Sequence, residues 1–432
     1  MRIPDIPGTP DTLPRPPEAD AAPLMTPAGW ILSAVWAVAA GLAWFPRVVG
    51  DDWTSLWVGG RLIARGDWRE AYAVSPLDFA YPDSPVWDAI VAEQTSAPFG
   101  HPFVHSPGVG VAMSLVSRVL SFDASLLAIT VGSAFAVPLL IAASYRFWTQ
   151  RTLVLPVLSI GTVFVWLTVP LVIARVVGQT TPLIIACCVA AMAVAAQRPR
   201  VAGVLLAVAA CIKLTPVVLA VGMLAVPSTR RAGAWAAVLV AVYSAVQLIF
   251  LPEQVALWAA TLGSFSDAHL VAPMNATVGS ILYAGERTTE GVAVVRGGSL
   301  VPATATALFV AAVVALFVWT WRRSGRFPAK VFLALCLLGP MAVSQILWLH
   351  YSVALVLPLI GILAYAVRRS AWKPAAFALG ALALLLVRID FTTTAAPSPV
   401  TVLHVVLWAA VLAATALLRV PAEVDYRLAR TP

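Results

Sequence analysis

The sequence predicts an all-α, polytopic membrane protein, and three observations carry that prediction. Of its 432 residues, 60% are hydrophobic and 11% are charged, where soluble domains carry about 25% charged residues. Apolar runs close to the roughly 17–25 residues needed to cross a bilayer recur along the whole chain. The basic residues gather in the short stretches between those runs.

Residues 1–28 are rich in proline and acids and hold no apolar core, so they are expected to form a disordered cytoplasmic tail rather than a signal peptide. The membrane domain runs over 29–418. Its apolar runs are Gly29–Phe45, Ala124–Ala143, Leu153–Ala174, Pro182–Ala196, Ala232–Phe250, Leu300–Trp321, Val331–Leu347, Ser352–Val367, Pro374–Val387 and Val400–Leu418. With two ambiguous segments, this amounts to roughly ten to thirteen helices. Gly108 to Leu120 is short for a span and is expected to dip into the bilayer or to cross where it is thin. Val201 to Val226 is interrupted by Lys213-Leu214-Thr215-Pro216. Proline removes a helix hydrogen bond and disfavours helix in the residue before it, so this segment reads either as two half-helices that turn back or as one kinked span. Residues 419–432 are a second cytoplasmic tail.

A net charge of +8 would suggest nucleic acid in a soluble protein. Here the cations lie in short loops, which is the positive-inside pattern, and no nucleic-acid partner is expected. Placing Tyr145–Arg151, Gln197–Arg200, Ser228–Arg231, Arg322–Lys330 and Arg368–Lys373 in the cytoplasm leaves the alternate connections outside. The two long ones are a first extracytoplasmic loop, 47–106, and a later one, 251–298. The four cysteines all lie in apolar runs, without CxxC spacing and with no histidine beside them. They read as small core residues, neither disulfides nor metal ligands.

The first outer loop is where chemistry is expected. Of 20 acidic residues, eight fall there (Asp51, Asp52, Asp67, Glu70, Asp78, Asp83, Asp88 and Glu93) against four arginines. One of Asp51 and Asp52 reads as an N-cap for an amphipathic helix marked by Trp53, Leu56, Trp57 and Ile63. The other reads as a general base at the membrane surface. His101 and His105, in a proline-rich approach to the next apolar segment, read as hydrogen-bonding groups for a phosphate or sugar, or as loop structure. Arg175, before Gly178-Gln179-Thr180-Thr181, is either a snorkelling arginine or an anion site. Lys213, a charge amid apolar residues at membrane depth, costs about 2.5–3.5 kcal/mol to insert on translocon scales, and such charges tend to be functional. His350, between Trp348 and Tyr351, reads as part of an aromatic belt or of a sugar and phosphate site. His404 reads as a packing hydrogen bond.

At these residues the chain resembles glycosyltransferase family 87, membrane enzymes of the GT-C fold. The early pattern falls on Asp52, Trp57, Gly59-Gly60, Gly66 and Tyr72. An aromatic-Tyr-Pro-Pro element of the family appears here as Phe103-Val104-His105-Ser106-Pro107, a departure. Later elements fall on Gly178-Gln179, on Lys213 and Pro216, and on Asn275 and Gly279. The last is Trp348-Leu349-His350-Tyr351, where Tyr351 stands in place of a second histidine.

The resemblance implies an inverting transfer of a sugar from a polyprenyl-phosphate donor to a hydroxyl of a glycolipid or polysaccharide acceptor outside the cytoplasm, in the cell membrane. Asp52 would be the base, and Arg175, Lys213 and His350 would stabilise the leaving phosphate. Trp57, His105, Gln179, Asn275, Trp348 and Tyr351 would bind substrate. No cofactor and no metal are expected. Mannose is the expected sugar, with arabinofuranose as its competitor. A lipid or sugar transporter is the alternative class, disfavoured because the two halves show no internal repeat. A non-catalytic scaffold is a third, disfavoured by Lys213 and by the clustering of polar residues on one side.

Overall fold

In a computed structural model the protein is a bundle of helices, described over residues 22–75, 81–266, 268–272, 274–282, 293–296, 300–387 and 399–419. The elements run α1 (Pro27–Trp44), α2 (Asp51–Arg65), α3 (Trp68–Ala71), α4 (Pro85–Gln94), α5 (Pro107–Val119), α6 (Phe122–Thr149), α7 (Leu155–Trp166), α8 (Val169–Val176) and α9 (Thr181–Val194). They continue with α10 (Pro199–Ile212), α11 (Pro216–Ala225), α12 (Arg230–Phe250), α13 (Pro252–Ser266), β1 (Ala268–Val271), α14 (Val278–Leu282), β2 (Ala293–Arg296) and α15 (Leu300–Ser324). The last are α16 (Ala329–Ala342), a 3-10 turn (Leu349–Leu355), α17 (Val356–Arg369), α18 (Trp372–Leu384) and α19 (Pro399–Ala416).

The chain is an all-helical polytopic membrane protein apart, among the described residues, from one antiparallel pair in which Ala268 faces Arg296 and Val271 faces Ala293. Among the described residues, 6 helices are long and apolar enough to cross a membrane, or 7 if the bent α7–α8 pair is one span. That is fewer than the apolar runs suggest. Several runs fold as helices of 10–17 residues, α9, α10, α11, α16 and α18 among them; at 1.5 Å rise per residue, a fourteen-residue helix covers about two-thirds of a 30 Å hydrocarbon core. The N-terminal stretch is ordered sooner than expected: Thr26 caps α1 by accepting from the Gly29 amide at 3.1 Å. Residues 1–21 and 420–432, most of the two expected tails, lie outside the described residues, as does Asp78.

The Lys213 interruption is a break between two half-helices. Lys213 is extended (φ −134, ψ 136), closing α10, and Pro216 starts α11. Both halves pack on α12. Near its start, α10 brings Gly203 against Ala232, Trp235 and Ala236, while near its end α11 brings Ala220 and Met223 against Gly233. Ala232, Gly233 and Ala236 lie within one turn of α12, so the two remote ends of α10 and α11 meet the same level of their neighbour. The segment is therefore a re-entrant hairpin that presents Lys213 at its tip. Small residues allow the close approach, since interhelical packing in lipid rests on van der Waals contact between backbones.

The segment Gly108 to Leu120 folds as α5, an amphipathic helix packed along α2. Together with α4 they build a separate apolar cluster of Trp53, Trp57, Leu62, Trp87 and Phe103 beside the main core. Gly50 (φ +75) precedes α2, and the start of that helix is clipped to the end of α8. Val49 and Gly50 donate to the Val176 carbonyl at 2.7 and 3.0 Å, and Asp52 donates to the Val177 carbonyl at 2.9 Å. The Asp52 amide is one of the donors that a helix start leaves without an intrahelical partner, and α8 supplies that partner.

The hairpin places the turns before α10 and after α11 on one face. In a variant lacking the native cysteines, Gln197→Cys and Pro227→Cys should react with an impermeant maleimide from the same side of sealed vesicles. Labelling from opposite sides would mean that the segment crosses the bilayer.

Candidate active site

A cavity of about 350 Å³ opens between the first turn of α2, the segment before α5, the α8–α9 turn, the hairpin tip, α13 and the segment before α17. That volume suits a small-molecule site. Asp52 and Gln179 meet on its wall: the Gln179 Nε2 donates to Asp52 Oδ2 at 2.7 Å. The backbone clip between α2 and α8 makes this contact, because it sets the first turn of α2 directly beside Gly178. Burial among the cavity walls pushes the Asp52 carboxyl above its ordinary range, against the lowering pull of His101; Asp51 adds to the rise, and Gln179 and Lys213 oppose it.

Across Gln179 stands the cation. The Lys213 ammonium donates to Gln179 Oε1 at 3.3 Å, to Thr181 Oγ1 at 2.9 Å and to the Tyr351 hydroxyl at 3.1 Å. One amide side chain therefore touches both the base and the cation. This fixes the amide's orientation, since its nitrogen must face the carboxylate and its oxygen the ammonium.

The other wall is a strapped loop. Ser55 donates to the Pro102 carbonyl, Tyr72 to the His105 carbonyl and Trp258 to the Val104 carbonyl, at 2.8, 2.9 and 3.1 Å. The Gly108 amide, at the start of α5, donates to Gln247 at 2.7 Å. His105 Nδ1 lies 3.0 Å from the Ile212 carbonyl. A carbonyl only accepts, so Nδ1 carries the proton and Nε2 is left as an acceptor. Burial lowers the His105 pKa to about 4, so the ring is neutral at physiological pH.

Asp52, His105, Gln179, Lys213, Trp348 and Tyr351 share this cavity. Four other residues expected to bind substrate or phosphate do not line it. Trp57 is buried between α2, α5 and α6, donating to the Leu120 carbonyl at 3.1 Å and meeting Phe122 edge-on. Arg175 is sandwiched between the rings of Trp44 and Trp166, 4.0 and 3.6 Å from their centroids. It also donates to the Trp166 and Leu171 carbonyls at 2.8 and 3.1 Å. Trp166 ends α7, so this guanidinium caps the helix at its 65° bend into α8, with cation–π contacts worth about 2 kcal/mol when desolvated. His350 is buried and stacked on Tyr351 at 4.8 Å, outside the cavity wall.

Asn275, fully buried, is a brace. Its amide donates to the Leu270 and Gln345 carbonyls and accepts from the Leu347 amide at 2.7 Å. It thereby hangs the Trp348 wall on β1. Asp51 is not the helix cap either: Gly50 occupies the N-cap position, and Asp51 turns instead to His101. His269 belongs to β1. Thr181 and Trp258 reach the site without having been singled out. Thr181 stands beside Gln179 in the sequence, but Trp258 carries no local signal.

A helical bundle that joins a carboxylate and an ammonium through one amide on a sugar-sized cavity has the parts of a membrane-bound group-transfer enzyme. Residues 103–344 match the sequence model of glycosyltransferase family 87. The match spans more than half of the chain, and the protein belongs to that family, as a multi-pass membrane glycosyltransferase. Lys213, Gln179 and His105 fall inside the matched stretch; Asp52 and Trp348 to Tyr351 flank it. No curated protein matches the chain.

Removing the brace tests the account of the wall. Asn275→Ala takes the side-chain acceptor from the Leu347 amide and one donor each from the Leu270 and Gln345 carbonyls, the former keeping the Ser280 hydroxyl; at about 1–3 kcal/mol for a group left unsatisfied, it should lower the thermal unfolding midpoint in detergent. An unchanged midpoint would show that the brace carries no stability.

Proposed function

We propose that this protein transfers a sugar, mannose in the reading we favour, from a polyprenyl-phosphate donor to a hydroxyl of a glycolipid or polysaccharide acceptor, on the extracytoplasmic side of the cell membrane. The observation that carries the reading is the pairing of Asp52 and Lys213 through Gln179 in one cavity. An inverting single displacement needs a base and an anion-stabilising group on the two sides of the reacting carbon.

Asp52 takes the proton of the acceptor hydroxyl as its oxygen bonds to C1. The bond from C1 to the phosphate oxygen breaks, and its electron pair stays on the polyprenyl phosphate. Lys213, with the Tyr351 and Thr181 hydroxyls around it, meets the charge that develops there; such pre-placed donors act without reorganising during the reaction. Neutral His105 offers a sugar hydroxyl an acceptor, and Trp348 offers an apolar surface for a sugar ring. The raised proton affinity of Asp52 suits a base, because catalytic efficiency rises as the pKa approaches the working pH.

Turnover of polyprenyl-phosphate-mannose with a membrane glycolipid acceptor tests the assignment. Asp52→Asn should reduce product formation by about 10²–10⁴-fold, while Asp88→Asn, exposed on α4, leaves it unchanged; full activity of Asp52→Asn would sink the proposal. Lys213→Met should lower kcat by about 10²–10³-fold, on the scale of a lost oxyanion donor. Turnover of the arabinofuranose donor in place of the mannose donor would reassign the sugar.

The pH profile follows in sign. Asp52 works as its anion, so activity falls as pH drops through its pKa. Because burial raises that pKa, the acid limb of kcat/KM should lie above the ordinary carboxylate range. An acid limb near pH 4 would contradict the burial.

A further inference from the structure

His101 reaches the start of α2 from a loop fifty residues away in sequence. Its Nε2 lies 3.2 Å from Asp51 Oδ2 and 3.5 Å from Asp52 Oδ1. Both neighbours are carboxylate oxygens, so this nitrogen serves them as a donor. The approach is built. The His101 amide donates to Thr54 Oγ1 at 2.9 Å, and the Thr54 hydroxyl in turn donates to the Asp51 carbonyl. Phe99 meets the imidazole edge-on, its centroid 5.3 Å away.

Asp51 itself is out of place for stability. It is 7% exposed, caps nothing, and its Oδ1 is buried without a protein partner. A buried carboxylate that is incompletely hydrogen-bonded costs stability, and this one also stands beside a second carboxylate in the same helical turn. The position of α2 explains part of the tolerance, since a helix N-terminus favours negative charge. The imidazole between the two acids supplies the rest.

We propose that His101, anchored by Asp51, is a positioning residue that pins one oxygen of Asp52 and keeps that carboxylate in its charged, proton-accepting form. With Gln179 on Oδ2 and His101 at Oδ1, the carboxylate is held from two directions. Its plane is then set relative to the cavity, and the lone pairs not used by these contacts face the acceptor hydroxyl. Asp51 has two opposed effects: it holds the imidazole in place, and its charge makes a second anion beside it harder to form. Other titratable groups that line the cavity with Asp52 are Lys213, across Gln179, His105, on the strapped loop, and Cys211 and Tyr351.

This inference rests on Asp52 being the base, and the pH dependence of kcat/KM in the full-length enzyme, with polyprenyl-phosphate-mannose and a glycolipid acceptor, tests the two separately. His101→Gln keeps a hydrogen-bond donor and removes the imidazole, the group beside the two carboxylates that can carry a proton. The acid limb should move to higher pH by about one unit, an about tenfold loss on the acid side, with the high-pH plateau retained. Asp51→Asn keeps an acceptor oxygen for the imidazole and removes the repulsion, so the limb should move to lower pH. If His101→Gln fails to fold, by size-exclusion profile in detergent, the limb of His101→Asn, which also keeps a donor, decides. A uniform loss at every pH with the limb unmoved means that the dyad is only structural, and overturns the proposal. An active Asp52→Asn instead removes the base assignment on which it rests.

Discussion

The bundle is organised around a charge that cannot be left alone at membrane depth. Lys213 sits where a helix has been interrupted, and its ammonium is met by Gln179, Thr181 and Tyr351. Three different elements supply those partners: the α8–α9 turn, the first residue of α9 and the 3-10 turn ahead of α17. Each must end or bend near the hairpin tip to deliver a polar group there. This accounts for the short helices around the site, since full-length spans would carry their polar ends past the cation.

Irregular backbone at membrane depth is tolerated where protein encloses it or where it lines a cavity. The strapped loop from His101 to Ser106 also lines the cavity and shows how many contacts irregular backbone takes. Its carbonyls are met by Ser55, Tyr72 and Trp258, and the Ser106 hydroxyl pairs with that of Tyr243 at 2.7 Å. These donors come from α2, α12, α13 and the turn after α3, so the loop is rigid only when all are assembled. The same burial shifts the proton affinities of Asp52 and His105.

Much of this was legible in the sequence, for reasons that differ by residue. Lys213 followed by Pro216 in an apolar run announces a break, because neither residue belongs in the middle of a span. Asp52 stands out from Asp51 only through the family resemblance, whose pattern also falls on Gly66, the glycine that closes α2 with φ +89. Helix length was less readable: a half-helix and a span share the same composition and period, and only packing against α12 tells them apart. Arg175 looked like an anion site because an arginine at the end of an apolar run gives no hint of the two indoles that enclose it. Trp57 and Asn275 lie in the motif positions but face inward, and no local pattern reveals which way a helix turns. The contact between Asp51 and His101 joins residues fifty apart, which leaves no trace in either neighbourhood.

The hairpin of α10 and α11 enters and leaves by one face, so it counts as an even number in the parity that orients every later helix. A single span at the same place would invert everything after it. The cation that we propose faces the donor is thus carried on a module whose length, depth and tip chemistry can change without reversing the topology of the rest. Variation in how deep the tip reaches would move the charged group along the membrane normal while α12 to α19 keep their orientation.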